Sequence, residues 1–245
     1  MHIIWLRFAV FMDSNIIRQD SSLAHSFVSR DFDIAYWTRQ SLTRCLAGGR
    51  GASYLINMDD GHFVLRHYLR GGMMARLLQD RYLWTGLDRC RPMLEWQIVK
   101  HARGHDLPVP EVAAVRVERH GIWYRAAIIS RYIENRGTLA SMLEQTALEA
   151  SKWQLLGQVI RAMHQAGIDH ADLNANNLLY TIDEKWCLID FDKAVTRINA
   201  QAWAQKNLDR LLRSLHKIQA LQQASGKPFH FSDQDWQHLL DGYAR

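Results

Sequence analysis

The stretch HADLNANN, residues 170–177, holds three polar side chains whose types and spacing could do chemistry. Asp172 follows His170 by two positions, and Asn177 follows Asp172 by five. A carboxylate in such a loop can orient a hydroxyl group and accept its proton, and an asparagine can give an oxygen to a metal ion. Chance places these residue types at these offsets in roughly a few per cent of chains this long. The stretch therefore needs support from its surroundings.

Two other segments bear on the same chemistry. LIDFD places Asp190 at the end of an apolar run, where a carboxylate suits a hard cation such as Mg²⁺, although a lone strand-end aspartate is more often solvated or capping. Gly48, Gly49 and Gly51 precede a β-rich run, so their N–H groups could approach phosphate oxygens, although such clusters are also typical of turns. The order of the three features along the chain favours phosphoryl transfer.

The first half of the chain reads as strands with one main helix. Two hairpins are predicted, the first from residues 53–57 and 62–68, the second from 111–118 and 122–130. A helix begins near Pro92 and is ended by Gly104.

From Thr138 onward the pattern is mainly helical. One helix runs through LASMLEQTALEA, and a second ends at Gly167 as C-cap. Two short strands follow the polar loop, and further helices are expected at about 200–218 and near 236–240. We predict a β-rich unit, residues 1–134, and a helical unit, residues 135–245, connected near 134–137.

Composition indicates a globular chain that prefers anionic partners. The 245 residues are 48% hydrophobic with nine tryptophans, which excludes a disordered class. Thirty Lys and Arg against 25 Asp and Glu give a net charge of +5, which favours phosphates, acidic sugars or anionic lipid headgroups. Three scattered cysteines argue against disulfides and zinc and favour a reducing cytosol. The apolar opening, MHIIWLRFAVFM, is too short to span a bilayer, so we expect a buried or frayed segment, or an interfacial contact.

The order of these features resembles the protein-kinase-like fold. MHQAGIDHADL, residues 163–173, is similar to that family's helix end and loop, L-H-x-x-G-I-x-H-x-D-L. The resemblance implies an α+β, bilobal fold with a small β-rich N-lobe, one main helix in it, and a mostly helical C-lobe. It also implies ATP and Mg²⁺ as cofactors, Asp172 as the catalytic residue, and Asn177 and Asp190 as metal ligands. His164 and His170 are then expected to be structural.

The resemblance assigns ATP-binding residues to the first lobe. The three glycines would cover the ATP phosphates. FVLR puts Arg66 where the family has a lysine, and Glu95 falls on the following helix as its acidic partner. Arginine keeps the charge but differs from lysine in reach and geometry. An exposed strand arginine is the alternative.

Several departures point away from a protein substrate. DFD replaces D-F-G, no long activation segment follows Lys193, and Asn174 stands where many Ser/Thr kinases have a lysine. GGRGASY, LRHYLRGG, HADLNANNLL and LIDFDKA are similar to the 3-deoxy-D-manno-octulosonic acid (Kdo) kinase branch of the lipopolysaccharide core kinases. The matches extend from about Phe32 to Leu215.

That resemblance implies ATP-dependent phosphorylation of a Kdo hydroxyl, the 4-hydroxyl, on Kdo–lipid A precursors. The expected location is the cytoplasmic face of a bacterial inner membrane, with peripheral contact to its anionic surface and with no nucleic-acid or protein partner. A heptose or small-molecule kinase of the same fold and a non-catalytic pseudokinase remain as alternatives.

Residues 66–91 are expected to bind the acceptor, the alternatives being a solvated basic face or a nucleic-acid patch. Their cationic residues are Arg66, His67, Arg70, Arg76, Arg81, Arg89 and Arg91.

Overall fold

The structure, a computed structural model, describes residues 13–47, 53–69, 80–198 and 203–245. Its backbone forms two compact units, each containing helices and strands. The first comprises the described residues within Met1–Met93 and Val112–Arg131, and the second comprises those within Leu94–Glu111 and Tyr132–Arg245. The mixed α and β content agrees with the expected fold class. The bilobal kinase-like arrangement, and the functional division at residues 134 and 135, stay predictions.

The first unit is built on one antiparallel sheet. Its strands are β1 (Ser14–Gln19), β2 (Thr43–Ala47), β3 (Ser53–Met58), β4 (Gly61–His67), β5 (Tyr82–Leu83), β6 (Val112–His120) and β7 (Trp123–Arg131). The strand order is β1-β6-β7-β4-β3-β2, and β5 pairs with β7.

Both predicted hairpins are confirmed. Strands β3 and β4 pair from Ser53 opposite Arg66 to Met58 opposite Gly61, and the φ of Gly61 is +134°, an angle that L side chains rarely adopt. Strands β6 and β7 form the second hairpin. The sheet thereby places Arg66 near the end of β4, opposite Ile128 of β7.

The segment before the first hairpin contains structure that the sequence did not predict. It forms β1 and the short helix α1 (Ile34–Arg39), which Asp33 caps by accepting a hydrogen bond from the Ala35 N–H. Phe27, Phe32 and Trp37 from this segment are buried in the core of the sheet. This burial removes a large aromatic area from water and so stabilises the unit.

The second unit holds most of the helices and two small sheets. Helix α2 (Arg91–Gly104) begins at the end of the first unit and lies mostly in the second. The other helices of the second unit are α3 (Leu139–Leu143), α4 (Ala150–Gln165), α5 (Ala204–Ala224) and α6 (Asp233–Ala244). Its strands are β8 (Asn135–Thr138), β9 (Ile168–Asp169), β10 (Leu178–Thr181), β11 (Trp186–Leu188) and β12 (Val195–Thr196). Strand β10 lies between β11 and β8, and β12 pairs with β9.

Two expectations for this unit are corrected. Residues 135–138 are not merely a connection, because they form β8 and pair with β10. The helix predicted through LASMLEQTALEA ends at Leu143, whose carbonyl accepts a hydrogen bond from the His230 N–H. Gly167 ends its helix as predicted, since it follows the C-cap residue Ala166 and has a φ of +72°.

Helices α4 and α6 cross with almost no space between their backbones. A Cβ atom at Gly157 would lie 2.1 Å from the Leu239 carbonyl oxygen, and one at Gly242 would lie 2.0 Å from the Gln154 carbonyl oxygen. At the same interface His164 Nδ1 lies 2.8 Å from the Tyr243 hydroxyl. His164 is buried, as predicted for a residue that packs the helix end.

The environment of His164 makes stability depend on pH. Burial lowers the pKa of His164 from its ordinary 6.5 to about 4, against the opposing effects of Asn207 and Asp169. Between these values the unfolded chain binds a proton that the folded chain does not, so stability falls as pH falls. We expect the free energy of unfolding to drop by about 2 kcal/mol from pH 7 to pH 5 through this residue. Urea unfolding of the parent and of His164→Gln at both pH values measures it, and equal drops in the two proteins would disprove this origin.

Candidate active site

The polar loop that contains Asp172 connects β9 to β10, and a buried histidine within the loop holds it in place. His170 is 1% exposed, its Nε2 lies 2.9 Å from the Ile189 carbonyl oxygen, and its ring lies 4.8 Å from the Phe191 ring. These contacts tie the loop to the segment that carries Asp190. His170 therefore determines the shape of the loop, as the sequence indicated.

Within the loop, the backbone carbonyl of Asp172 orients two asparagines. It accepts hydrogen bonds from Asn174 Nδ2 at 2.8 Å and from Asn177 Nδ2 at 3.0 Å. Asn177 is buried, and this bond leaves its Oδ1 as the atom that can face a cation. The side chain of Asp172 is 40% exposed, so its carboxylate is accessible to a substrate.

Asp190 directly follows Ile189, whose backbone is hydrogen-bonded to that of Asn177. The Ile189 N–H donates to the Asn177 carbonyl at 3.0 Å, which places the two predicted metal ligands on adjoining backbone. Asp190 is exposed and has a φ of +64°, while the next residue, Phe191, is buried. A left-handed conformation at a residue other than glycine is unfavourable, and it occurs often at functional sites.

One face of α5 holds the loop at three points that sequence reasoning missed. Asn207 accepts from the His170 N–H at 3.1 Å, and its Nδ2 donates to Asp169 Oδ1 at 2.8 Å. Arg210 Nη1 donates to Asp172 Oδ1 at 3.1 Å. Ser214 Oγ accepts from the Ala175 N–H at 2.9 Å.

One signal for this arrangement was present in the sequence. Asn207 shares its helix face with apolar residues that are buried, among them Leu208 and Leu211. A buried amide requires hydrogen-bond partners, so its position predicts a polar contact beneath the helix. The sequence alone does not say that this contact is the loop at Asp169 and His170.

Asp169 anchors the start of the loop. Its side chain is 12% exposed, and besides Asn207 it accepts from Arg197 Nε at 2.8 Å. Arg197 follows β12, and the pairing of β12 with β9 brings it there. The chain after Asp190 thus returns to support the loop before it.

The residues predicted to bind ATP are only partly described. Gly48, Gly49 and Gly51 lie outside the described ranges. Arg66 is partly buried on β4, and its guanidinium carbon lies 4.9 Å from the centre of the Tyr68 ring. Glu95 is 6% exposed on α2. The roles of these residues stay predictions.

The basic segment 66–91 is described at Arg66, His67, Arg81, Arg89 and Arg91, whereas Arg70 and Arg76 lie outside the described ranges. Arg91 Nη1 donates to the Tyr82 hydroxyl at 2.7 Å. Arg81 lines a cavity on the first unit; the other residues that line it are His120, Trp123, Tyr124 and Arg125. Acceptor binding by this segment stays a prediction.

The donor atoms in the second unit fit a magnesium ion. In the described parts of the chain, no group of three or more His, Cys, Asp or Glu side chains could hold a metal. Asn177 and Asp190 offer oxygen, which Mg²⁺ prefers, and one or two carboxylates suffice for Mg²⁺ when substrate phosphates complete its coordination.

No helix within the described ranges has the length and apolar character that are needed to cross a membrane.

Comparison with known proteins places this arrangement in one family. The profile of the lipopolysaccharide kinase (Kdo/WaaP) family matches residues 35–243. A relative from Xanthomonas euvesicatoria pv. vesicatoria (strain 85-10) is 45% identical over 172 residues, which cover 70% of this chain and 69% of the relative. One from Stenotrophomonas maltophilia (strain K279a) is 46% identical over 171 residues, 70% of this chain and 68% of the relative. One from Xanthomonas oryzae pv. oryzae (strain PXO99A) is 41% identical over 196 residues, 80% and 76% of the two chains.

Each of these relatives is named 3-deoxy-D-manno-octulosonic acid kinase. The matched region includes the loop at Asp172, the segment at Asp190 and the supporting helix α5. The chain therefore belongs to the lipopolysaccharide kinase (Kdo/WaaP) family and is a phosphotransferase that uses an alcohol group as acceptor.

Proposed function

We propose that this protein is an ATP-dependent Kdo kinase of lipopolysaccharide inner-core biosynthesis. The observation that carries the proposal is that two hydrogen bonds hold the backbone at Asp172, at Asn177 and just before Asp190 together. Asn177 Nδ2 donates to the Asp172 carbonyl, and the N–H of Ile189, the residue before Asp190, donates to the Asn177 carbonyl. The names of the relatives supply the sugar.

In the proposed mechanism Asp172 orients the acceptor hydroxyl and accepts its proton as the phosphoryl group is transferred in line. Asn177 Oδ1 and the Asp190 carboxylate would hold the magnesium ion. ATP would supply the phosphoryl group, and the magnesium ion would neutralise the negative charge that develops during its transfer. Arg66, Glu95 and the glycines at 48, 49 and 51 are the candidates for holding the nucleotide phosphates.

The acceptor that we propose is the 4-hydroxyl of Kdo on a Kdo–lipid A precursor. The net charge of +5 and the arginines of the 66–91 segment support an acidic, phosphorylated glycolipid. We further propose that the protein works peripherally at the cytoplasmic face of the bacterial inner membrane, whose anionic lipids would attract the same charge.

An acceptor panel at fixed ATP and magnesium tests the choice of substrate. We expect kcat/KM for Kdo–lipid IVA to exceed that for soluble alcohols by about 100-fold or more, because the remote groups of the glycolipid contribute binding that a small alcohol lacks. A heptose-bearing core fragment without free Kdo serves as the matched acceptor. Equal turnover of that fragment or of the soluble alcohols would contradict a Kdo acceptor.

A further inference from the structure

Arg210 occupies a position beside the proposed catalytic carboxylate that the mechanism above leaves unused. Its Nη1 donates to Asp172 Oδ1 at 3.1 Å, and 48% of its side chain is exposed. A guanidinium carries five N–H donors in a planar fork. In the described part of the chain Asp172 is its one bonded partner, so most of its donors remain for a ligand.

The neighbours of Arg210 on α5 add positive charge. Lys206 and Arg213 stand about one helical turn away on either side, and both are exposed. No carboxylate of the described ranges lies within ion-pair distance of either, and the nearby Asp209 accepts instead from Gln205 at 2.8 Å. Like charges at this spacing destabilise an isolated helix. The grouping therefore favours an anionic ligand over a purely structural role.

The chemistry of the proposed acceptor supplies such an anion. Kdo carries a carboxylate on C2, two carbons from the C4 hydroxyl. When that hydroxyl approaches Asp172, the carboxylate of the sugar comes close to the carboxylate of the enzyme, and the two repel. A guanidinium bonded to both removes the repulsion, and its fork matches carboxylate geometry.

We propose that Arg210 binds the carboxylate of the acceptor sugar, with one donor kept on Asp172 and others turned to the substrate. This inference rests on the proposed function and extends it to specificity. It explains how an acidic sugar is admitted next to an acidic catalytic residue. It also gives Arg210 the role of the cation near Asp172, since this chain has Asn174 where many kinases have a lysine.

Two acceptors and four proteins test the inference. The acceptors are Kdo–lipid IVA and the same lipid with the Kdo carboxylate converted to its methyl ester. The proteins are the parent, Arg210→Gln, Arg210→Lys and Lys217→Gln. The last removes the same charge from an exposed position seven residues further along α5. Initial rates over a range of acceptor concentrations separate kcat from KM.

The parent is expected to prefer the acid over the ester by about 10- to 100-fold in kcat/KM, mostly through KM, as for a charge-assisted hydrogen bond. Arg210→Gln should lose that preference by raising KM for the acid, with little change for the ester, whereas Lys217→Gln should keep it. Arg210→Lys retains the charge and should keep part of the preference for the acid.

Two results would count against the inference, and they are distinguishable. If Arg210→Gln lowers kcat/KM by the same factor for the acid and for the ester, the arginine only positions Asp172. The inference is then wrong, while the proposed function stands. If the parent phosphorylates neither acceptor, the proposed function fails and the inference fails with it.

Discussion

Replacing Asp172 by asparagine is expected to lower kcat for phosphoryl transfer to Kdo–lipid IVA by about 1,000-fold. Asparagine fills the same volume and can still accept from Arg210, but it cannot take the proton of the hydroxyl. The backbone carbonyl that holds Asn174 and Asn177 is unchanged, so the loop should keep its shape. Single-turnover rates with labelled ATP give the size of the effect.

Two controls make this result specific. Asp183 is an exposed aspartate in the turn between β10 and β11, and Asp183→Asn should retain the parent rate. A thermal-shift titration with Mg-ATP should give the same nucleotide affinity for Asp172→Asn as for the parent. Near-normal phosphorylation by Asp172→Asn would show that the role given to Asp172 is wrong.

The largest expected effect on stability comes from Gly242→Ala at the crossing of α4 and α6. The new Cβ would meet the Gln154 carbonyl oxygen at 2.0 Å, and backbone cannot move aside as a flexible side chain can. The helices must separate, which we expect to lower the free energy of unfolding by about 3 kcal/mol. This loss exceeds the gain of about 1 kcal/mol that alanine brings to a helix interior.

Urea unfolding measures this change, with Gly104→Ala as the matched control. A Cβ at Gly104 would meet nothing within 4 Å, and its φ is not positive, so the control should lie within about 0.5 kcal/mol of the parent. Gly157→Ala, on the other side of the crossing, should behave as Gly242→Ala does. If both variants unfolded at the parent midpoint, the close approach of the two helices would be disproved.

The sequence was sufficient for features whose causes are local. The turn at Gly61 lies between two β-rich runs, and the helix from Arg91 to Gly104 has a proline near its start and a glycine at its end. The spacing of Asp172 and Asn177 also lies within one loop. In each case the residues that produce the structure are neighbours in the chain, so a short window contains the information.

The features that the sequence did not reveal depend on contacts between distant residues. Arg210 lies 38 residues from the carboxylate that it bonds, and no periodicity in α5 indicates that partner. The aromatic residues before the first hairpin are likewise buried only because the sheet that covers them forms from later strands. Residues 135–138 become a strand because β10 pairs with them, not because of their own composition.

We propose that this protein transfers the phosphoryl group of ATP to a hydroxyl of Kdo. Mass spectrometry of Kdo–lipid IVA after incubation with the protein, ATP and Mg²⁺ tests it most directly. We expect the acceptor mass to increase by one phosphate group, with fragments that place the phosphate on the Kdo residue, and we expect no increase with Asp172→Asn. An unchanged acceptor mass, or a phosphate on the lipid A portion instead of Kdo, would contradict it.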